Sequence, residues 1–372
     1  MKGQDVRDLP SLTGLRGVAA LWVLAFHLVK ICGQGGAAWP AHASFLNFGW
    51  TGVDLFFVLS GFVLMWTHGA ALARPTPAAI RQFAVARIVR VYPLSLAVLA
   101  LILALAAADP VYAAWFRDQS PGNFSVAALT RTALLATRWV PNAQGEWNEP
   151  VWSLSAELIG YAAFPLLAWM IARCSEKTAV AAAASSLAAM AAFMLLTGLA
   201  GSNPIDQIPA LMRMATGLIA GMAACRLRQT IGPSAPADAG LGALATCLAL
   251  GVALRFSKGV LFAPTAFTLL IFCLSFGHGV LHRALTSKPV MMLGRISFPL
   301  YLVHLTPLAW LASHVRFGDL SAVDTLILLG GYLAFCLGLA GLLHYAVERP
   351  LHRWVRRGAE FSSAPVSAAQ AA

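Results

Sequence analysis

The sequence predicts an all-α, polytopic integral membrane protein of about ten transmembrane helices, with both termini cytoplasmic. Three observations carry this. Of 372 residues, 59% are hydrophobic and 11% are charged, whereas a soluble domain is nearer a quarter charged. Mean hydropathy is +0.73. Apolar runs near the ~20 residues needed to cross a bilayer recur along the chain.

The candidate spans lie near 12–31, 49–68, 91–108, 151–172, 178–200, 207–228, 239–254, 259–280, 290–313 and 322–347. If the amino terminus starts inside and the spans alternate, the inside segments hold sixteen Lys and Arg, among them Lys2, Arg7, Arg74, Arg87, Arg90, Arg349, Arg353, Arg356 and Arg357. The outside segments hold seven: Lys30, Arg117, Arg131, Arg138, Arg255, Lys258 and Arg316. The positive-inside rule then sets the orientation, and the net charge of +11 is mostly a topology signal, not a nucleic-acid footprint. A multi-pass protein of the cell's inner (plasma) membrane, in contact with membrane lipids and no nucleic acid, is the expectation.

The first span carries Arg16 and His27 in its apolar stretch and lacks a small-x-small cleavage site, so it does not read as a signal peptide. The six cysteines are scattered without a CxxC pair and read as small apolar packing residues. The longest connection, about 109–150, falls outside and contains Trp115, Phe116, Trp139 and Trp147. These suit an aromatic belt at the membrane surface, or a platform for an apolar or sugar-ring face. One membrane domain spans 10–350. The segment 351–372 reads as a basic, Ala/Ser-rich cytoplasmic tail, disordered from Ser362. No internal repeat and no phosphate-binding glycine loop in a strand–helix context is evident.

Arg16 and His27 are the best functional clue. Eleven positions make three helical turns plus roughly 20°, so both point the same way, about 16 Å apart along the axis. Charged and ionisable side chains inside a membrane helix are costly, so each needs a partner or a task. Counting depth from the helix ends, His27, Asp54, Glu157 and Arg213 fall roughly 6–9 Å below the outer surface, with His304 also in the outer half. Arg16, Arg87, Arg90, Arg295 and Arg349 fall near the inner surface.

Guanidinium forks bind phosphates bidentately, although Arg87 and Arg90 could equally snorkel at a helix end. His27 suits a base or a nucleophilic acyl carrier, with packing against a neighbouring helix as the plain alternative. Glu157 or Asp54 could orient its ring, as a carboxylate does in a triad. Either could instead pair with Arg213 for structure alone. Ser297, Tyr301 and His304 fall on one helical stripe that could line a channel or seam two helices. His278 and His282 stand at i, i+4, a spacing that suits a metal, but no third ligand is near, and no metal is expected.

Several segments recur together in the order of a known family. They are Leu12–His27 (LTGLRGVAALWVLAFH), Gly52–Leu64 (GVDLFFVLSGFVL), the Arg87-Ile-Val-Arg90 pair, Trp152–Glu157 (WSLSAE), Gly294–Ser297 with Leu300–His304 (LYLVH), and Glu348-Arg349-Pro350. Together they resemble the acyltransferase-3 family of integral membrane acyltransferases. The resemblance implies transfer of an acyl group, usually acetyl, from cytoplasmic acyl-CoA to a hydroxyl of a surface or lipid-linked saccharide or a similar acceptor. Within the resemblance Arg16 and His27 match the family's essential Arg/Lys and His, Ser60-Gly61 its FFxxSG signature, and Arg87 and Arg90 its RxxR pair; the residue reading adds Glu157 or Asp54 as support for a catalytic His27. Donor binding would fall to Arg16, Arg87, Arg90, Ser60 and Tyr301, and acceptor binding to Trp152, Arg213 and His304. Ser60-Gly61 also suits close helix packing. Pro299, and Leu158-Ile159-Gly160 after the Trp–Glu segment, depart from many members, which bears on the acceptor more than on the donor. The rival reading is a secondary transporter of an anionic solute, which also places charges at two depths. A non-enzymatic component that binds a glycan precursor is the other.

Overall fold

The computed structural model describes residues 9–36, 41–119, 122, 124–140, 145–196, 206–231, 239–254, 256, 259–351 and 353–354. Lys2, Arg7, Arg255, Lys258, Arg356, Arg357 and the tail from 355 lie outside the described residues. Those described are helical, with no strand among them.

Among the described residues, seven helices are long and apolar enough to cross a membrane. Helix α1 is Pro10–Gln34. A short 3-10 segment, Ala41–Thr51, runs into α2, Gly52–Leu72. Helix α3 is Pro77–Ala108. Two short helices follow, α4 (Pro110–Gln119) and α5 (Val126–Ala133). Then come α6 (Val151–Ile171), α7 (Glu176–Leu196), α8 (Gln207–Ile231) and the shorter α9 (Ala239–Ala253). Helices α10 (Ala263–Leu274) and α11 (Gly279–Leu285) meet at 89°. Helices α12 (Lys288–Val303) and α13 (Leu305–His314) meet at 49°. Helix α14, Ala322–Leu343, closes the bundle.

Counting each bent pair as one span brings the number to nine. The tenth expected span is α9. Its fifteen residues rise about 22 Å, short of a ~30 Å hydrocarbon core. Helix α3 starts well before the expected 91. Thr76 accepts from the Ala79 amide at its N-terminus and Pro77 occupies the first turn, both strong start signals. Arg81, Arg87 and Arg90 therefore ride on the span's own helix.

The inner helices are α1, α2, α6, α8 and α12, with α1 against α12 and α2 against α8 as major pairings. Small residues let these backbones approach, as in membrane bundles generally. A Cβ on Gly61 would overlap the Leu218 carbonyl oxygen, and one on Gly221 would overlap that of Val58. Helices α7 and α14 sit outside. Leu326, Ile327, Phe335 and Leu342 of α14 are exposed, as a lipid-facing helix requires.

The outer connection is a folded cap built on α4 and α5. Trp147 is buried against Phe116 and Phe124, and Tyr112 stacks on Phe116. Its aromatic residues thus form a small core in place of an open platform. Trp139 is half exposed, with its indole N–H donating to the Ser155 carbonyl at 2.9 Å. Asn148 is buried and donates to the Leu302 carbonyl at 3.2 Å. The chain therefore enters the bundle before α6 begins.

Candidate active site

A cavity of about 300 Å³ opens between α1, α2, α3, α6 and α12. Arg16, Arg87 and Arg90 line it, together with Ser60, Glu157, Tyr161, Ser297 and Tyr301. Arg16 lies close enough to Arg90, Glu157 and Glu348 to feel all three charges. The expected gathering of Arg16 with the Arg87–Arg90 pair is what the helices build. Arg295 and Arg349 are exposed and take no part in it.

The Arg87 guanidinium lies over the Tyr161 ring, 5.9 Å from its centroid, and Glu157 lines the cavity beside them. The Arg87 Nε is buried with no hydrogen-bond partner. Arg90 lies 3.6 Å from Glu348, and the other oxygen of that carboxylate takes the His344 imidazole at 2.7 Å. Three guanidinium groups thus face two carboxylates, and the cavity keeps a positive excess. Uncompensated positive charge out of bulk water is expensive, so an anionic occupant is favoured.

Glu157 does not sit where helix counting put it. It accepts from Ser60 and lines the cavity with Arg16, Arg87 and Arg90, not with His27. The reason is the deep start of α6. Ser153 and Tyr301 share a hydroxyl–hydroxyl bond of 2.8 Å, and Tyr301 also donates to the Pro150 carbonyl at 3.1 Å. The first turn of α6 is thereby held inside the bundle, and its seventh residue lands a layer lower. Asp54 is also not a partner of His27. It takes Arg213 through two contacts, 2.7 and 3.1 Å, with both side chains buried. The Arg213 guanidinium lies between Trp50 and Trp152, 4.9 and 5.2 Å from their ring centroids. Trp152 and Arg213 are therefore engaged with each other outside the cavity, the structural pairing weighed for Arg213. Ser60, expected to touch the donor or to allow packing, lines the cavity, while Gly61 makes the close approach.

His27 meets a residue assigned elsewhere by the sequence. Its Nδ1 lies 3.0 Å from the Val23 carbonyl and 3.1 Å from Nε2 of His304. The Ser297–Tyr301–His304 stripe of α12 therefore runs from the cavity to His27. Neither His lines the cavity, however. Phe56 and Tyr301 line its end, their rings packed edge to face at 5.7 Å, and His304 lies beyond Tyr301. The cavity that holds Arg16 thus stops short of His27, with this ring pair as its wall. His27 is partly buried and does not line the cavity.

A family model described as an acyltransferase domain matches residues 9–345. The chain belongs to the acyltransferase-3 family. Among its relatives, acyltransferase MdmB of Streptomyces mycarofaciens is 28% identical over 385 residues, covering 96% of this chain and 95% of that protein. "Protein 2 in picA locus" of Rhizobium radiobacter is 32% identical over 190 residues, 49% of this chain and 92% of that one. No solved structure matches. The protein is thus a multi-pass membrane acyltransferase, and the transporter and glycan-presenting readings fall away. Tyr161, which lines the cavity, and Glu348, which pairs with Arg90 beyond the lining, were not among the candidate site residues of the sequence reading. Tyr161 stands one turn after Glu157, and Glu348 stands beside the arginine that had been favoured in its place. A buried acid opposite a basic pair was the available signal for Glu348.

Proposed function

We propose that this acyltransferase takes its acyl group, usually acetyl, from acyl-CoA and passes it to a hydroxyl, with a surface or lipid-linked saccharide as the acceptor class. The observation that carries the donor is the cavity's positive excess, with the Arg87 Nε buried and unpartnered among three guanidinium groups. Coenzyme A offers a 3′-phosphate and a pyrophosphate to such forks. Ser60, Ser297 and Tyr301 line the route toward His27. The long pantetheine arm would lie along it, the thioester reaching His27 once the Phe56–Tyr301 wall opens.

In the transfer, His27 takes the proton of the acceptor hydroxyl as its oxygen attacks the thioester carbonyl. The C–S bond breaks, and the departing thiolate receives that proton from the imidazole. A positioned base of this kind contributes roughly 10²–10⁴-fold. The positive-inside asymmetry favours donor entry from the cytoplasm through the inner membrane. The position of His27 beyond the cavity favours acceptor entry from the other side.

The test uses the full-length protein in lipid nanodiscs with acetyl-CoA and a saccharide extract of the host membrane, reading thiol release and acetylated product. We expect turnover in the parent and its loss in His27→Ala, with coenzyme A binding retained. Near-normal turnover in a properly inserted His27→Ala protein would sink the assignment. Mass spectrometry of surface glycans and lipids, with and without the gene, identifies the acceptor.

A further inference from the structure

We propose that His304 is the positioning residue of His27. It holds the imidazole with its proton on Nδ1, leaves the Nε2 lone pair free for the acceptor hydroxyl, and shares the charge that develops on the ring. The inference rests on His27 being the reacting imidazole.

The hydrogen-bond directions follow from the acceptors at either end. His304 Nδ1 lies 2.8 Å from the Tyr301 carbonyl, which only accepts, so that nitrogen carries a proton. In the neutral ring Nε2 is then an acceptor, and it faces His27 Nδ1 at 3.1 Å. The second neighbour of His27 Nδ1, the Val23 carbonyl at 3.0 Å, is also an acceptor. Both neighbours require a proton on His27 Nδ1, shared between them as a three-centre bond. The alternative, a proton on His304 Nε2 aimed at a bare Nδ1, would set the Val23 carbonyl against a lone pair.

The fold makes His304 a firm partner. It stands at the 49° break between α12 and α13, where Pro307 contributes no backbone donor. Three carbonyls around this break meet side-chain donors. Tyr301 meets His304 itself, Leu302 meets Asn148, and His304 meets the Tyr332 hydroxyl at 3.0 Å. The ring and its backbone are fixed from the outer cap and from α14, and His304 is buried.

A carboxylate in this place would bring a full negative charge. Here Asp54 is committed to Arg213 and Glu157 to Ser60, Glu149 acts on His304 only through its charge, and a neutral imidazole takes the place beside His27 Nδ1. When His27 accepts the acceptor's proton at Nε2, its Nδ1–H becomes strongly acidic and His304 Nε2 can share it. The same proton returns as Nε2 of His27 protonates the thiolate, so neither ring is changed at the end of a cycle.

The experiment has two readouts on full-length protein in nanodiscs. The nitrogen-15 imidazole spectrum of histidine-labelled protein, with His27 identified by loss of its signals in His27→Ala, should show His27 protonated at Nδ1 and bare at Nε2. In His304→Leu the two tautomers should mix. Its kcat with acetyl-CoA should fall about ten- to a hundredfold, the span expected for one lost hydrogen bond to a charged partner, while KM for acetyl-CoA holds. His304→Gln presents an amide oxygen as acceptor and should restore most of the rate and the single tautomer. Thermal unfolding of both variants identifies a folding defect, and His304→Gln decides the matter if the leucine variant is unstable. An unchanged His27 tautomer in His304→Leu, or a folded His304→Gln as impaired as it, overturns the proposal. If the parent turns over no acetyl-CoA, the donor reading fails, and the tautomer spectra still decide the role of His304.

Discussion

Arg87 and Arg90 stand three residues apart on α3, yet their surroundings predict unequal contributions to donor binding. The Arg87 guanidinium lies over the Tyr161 ring and keeps a buried, unpartnered Nε. Arg90 is already drawn to Glu348, with 21% of its side chain exposed. A hydrogen bond to a charged group contributes ~1.5–3 kcal/mol. For Arg87→Ala that converts to about a ten- to 150-fold loss of coenzyme A affinity. For Arg90→Ala the phosphate competes with Glu348, and the loss is nearer an ordinary bond, about two- to tenfold. Arg87→Lys restores charge without the planar fork and should recover only part. Calorimetric titration of coenzyme A and of its 3′-dephospho form into nanodisc protein measures both terms, the dephospho form losing less wherever one arginine reads the 3′-phosphate. The effect should change little with salt, because partly buried charges are weakly screened. An Arg90→Ala penalty equal to or above that of Arg87→Ala refutes the role given to the free Nε. Unchanged affinity in the double variant makes both arginines topology anchors.

Other perturbations test the frame around the site. Removing one partner of the buried Asp54–Arg213 pair should cost ~3–5 kcal/mol, whereas Asp54→Leu with Arg213→Met should recover much of it, read as thermal stability of each single and double variant. Burial pushes the Glu146 carboxyl up to about 7 in the outer cap, against the lowering effect of Arg138. The folded cap then binds more protons than the unfolded chain between pH ~4.5 and ~7, so it weakens by up to ~3 kcal/mol as pH rises through that window. Hydrogen exchange over 109–150, corrected for intrinsic rates, should show the weakening, and Glu146→Gln should abolish it. Gly61→Val drives a side chain into the Leu218 carbonyl and should destabilise by ~1–3 kcal/mol or more, seen as a lowered unfolding temperature.

The spans were legible because a ~20-residue apolar run has few other physical meanings. The Arg cluster was legible because Arg16 stands near the start of α1 and Arg87 and Arg90 stand just before the apolar run of α3. Depth by residue counting failed for Glu157. It assumes that every helix begins at the membrane surface, and α6 begins inside, tied to Tyr301 and Pro150. The His27–His304 contact joins residues 277 positions apart. Periodicity put His304 on the stripe facing the cavity helices, but only the break after Val303 turns its ring onto His27. Asp54 and Arg213 likewise stand 159 positions apart, and only the packing of α2 on α8 chooses that pairing over the alternatives.

The wall of Phe56 and Tyr301 bears on the membrane as well as on the reaction. An unbroken wet route from a vestibule of arginines to a partly buried imidazole would be a conduit for protons. Each charge that ran through it would dissipate ~2.3 kcal/mol per 100 mV of membrane potential. Two aromatic rings in edge-to-face contact plug that route at the bundle's middle with apolar surface. If the bundle works from both faces, as proposed, it can in this way remain an insulator between turnovers, and replacing either ring by a small side chain is a change whose first cost would fall on the cell's ion gradients.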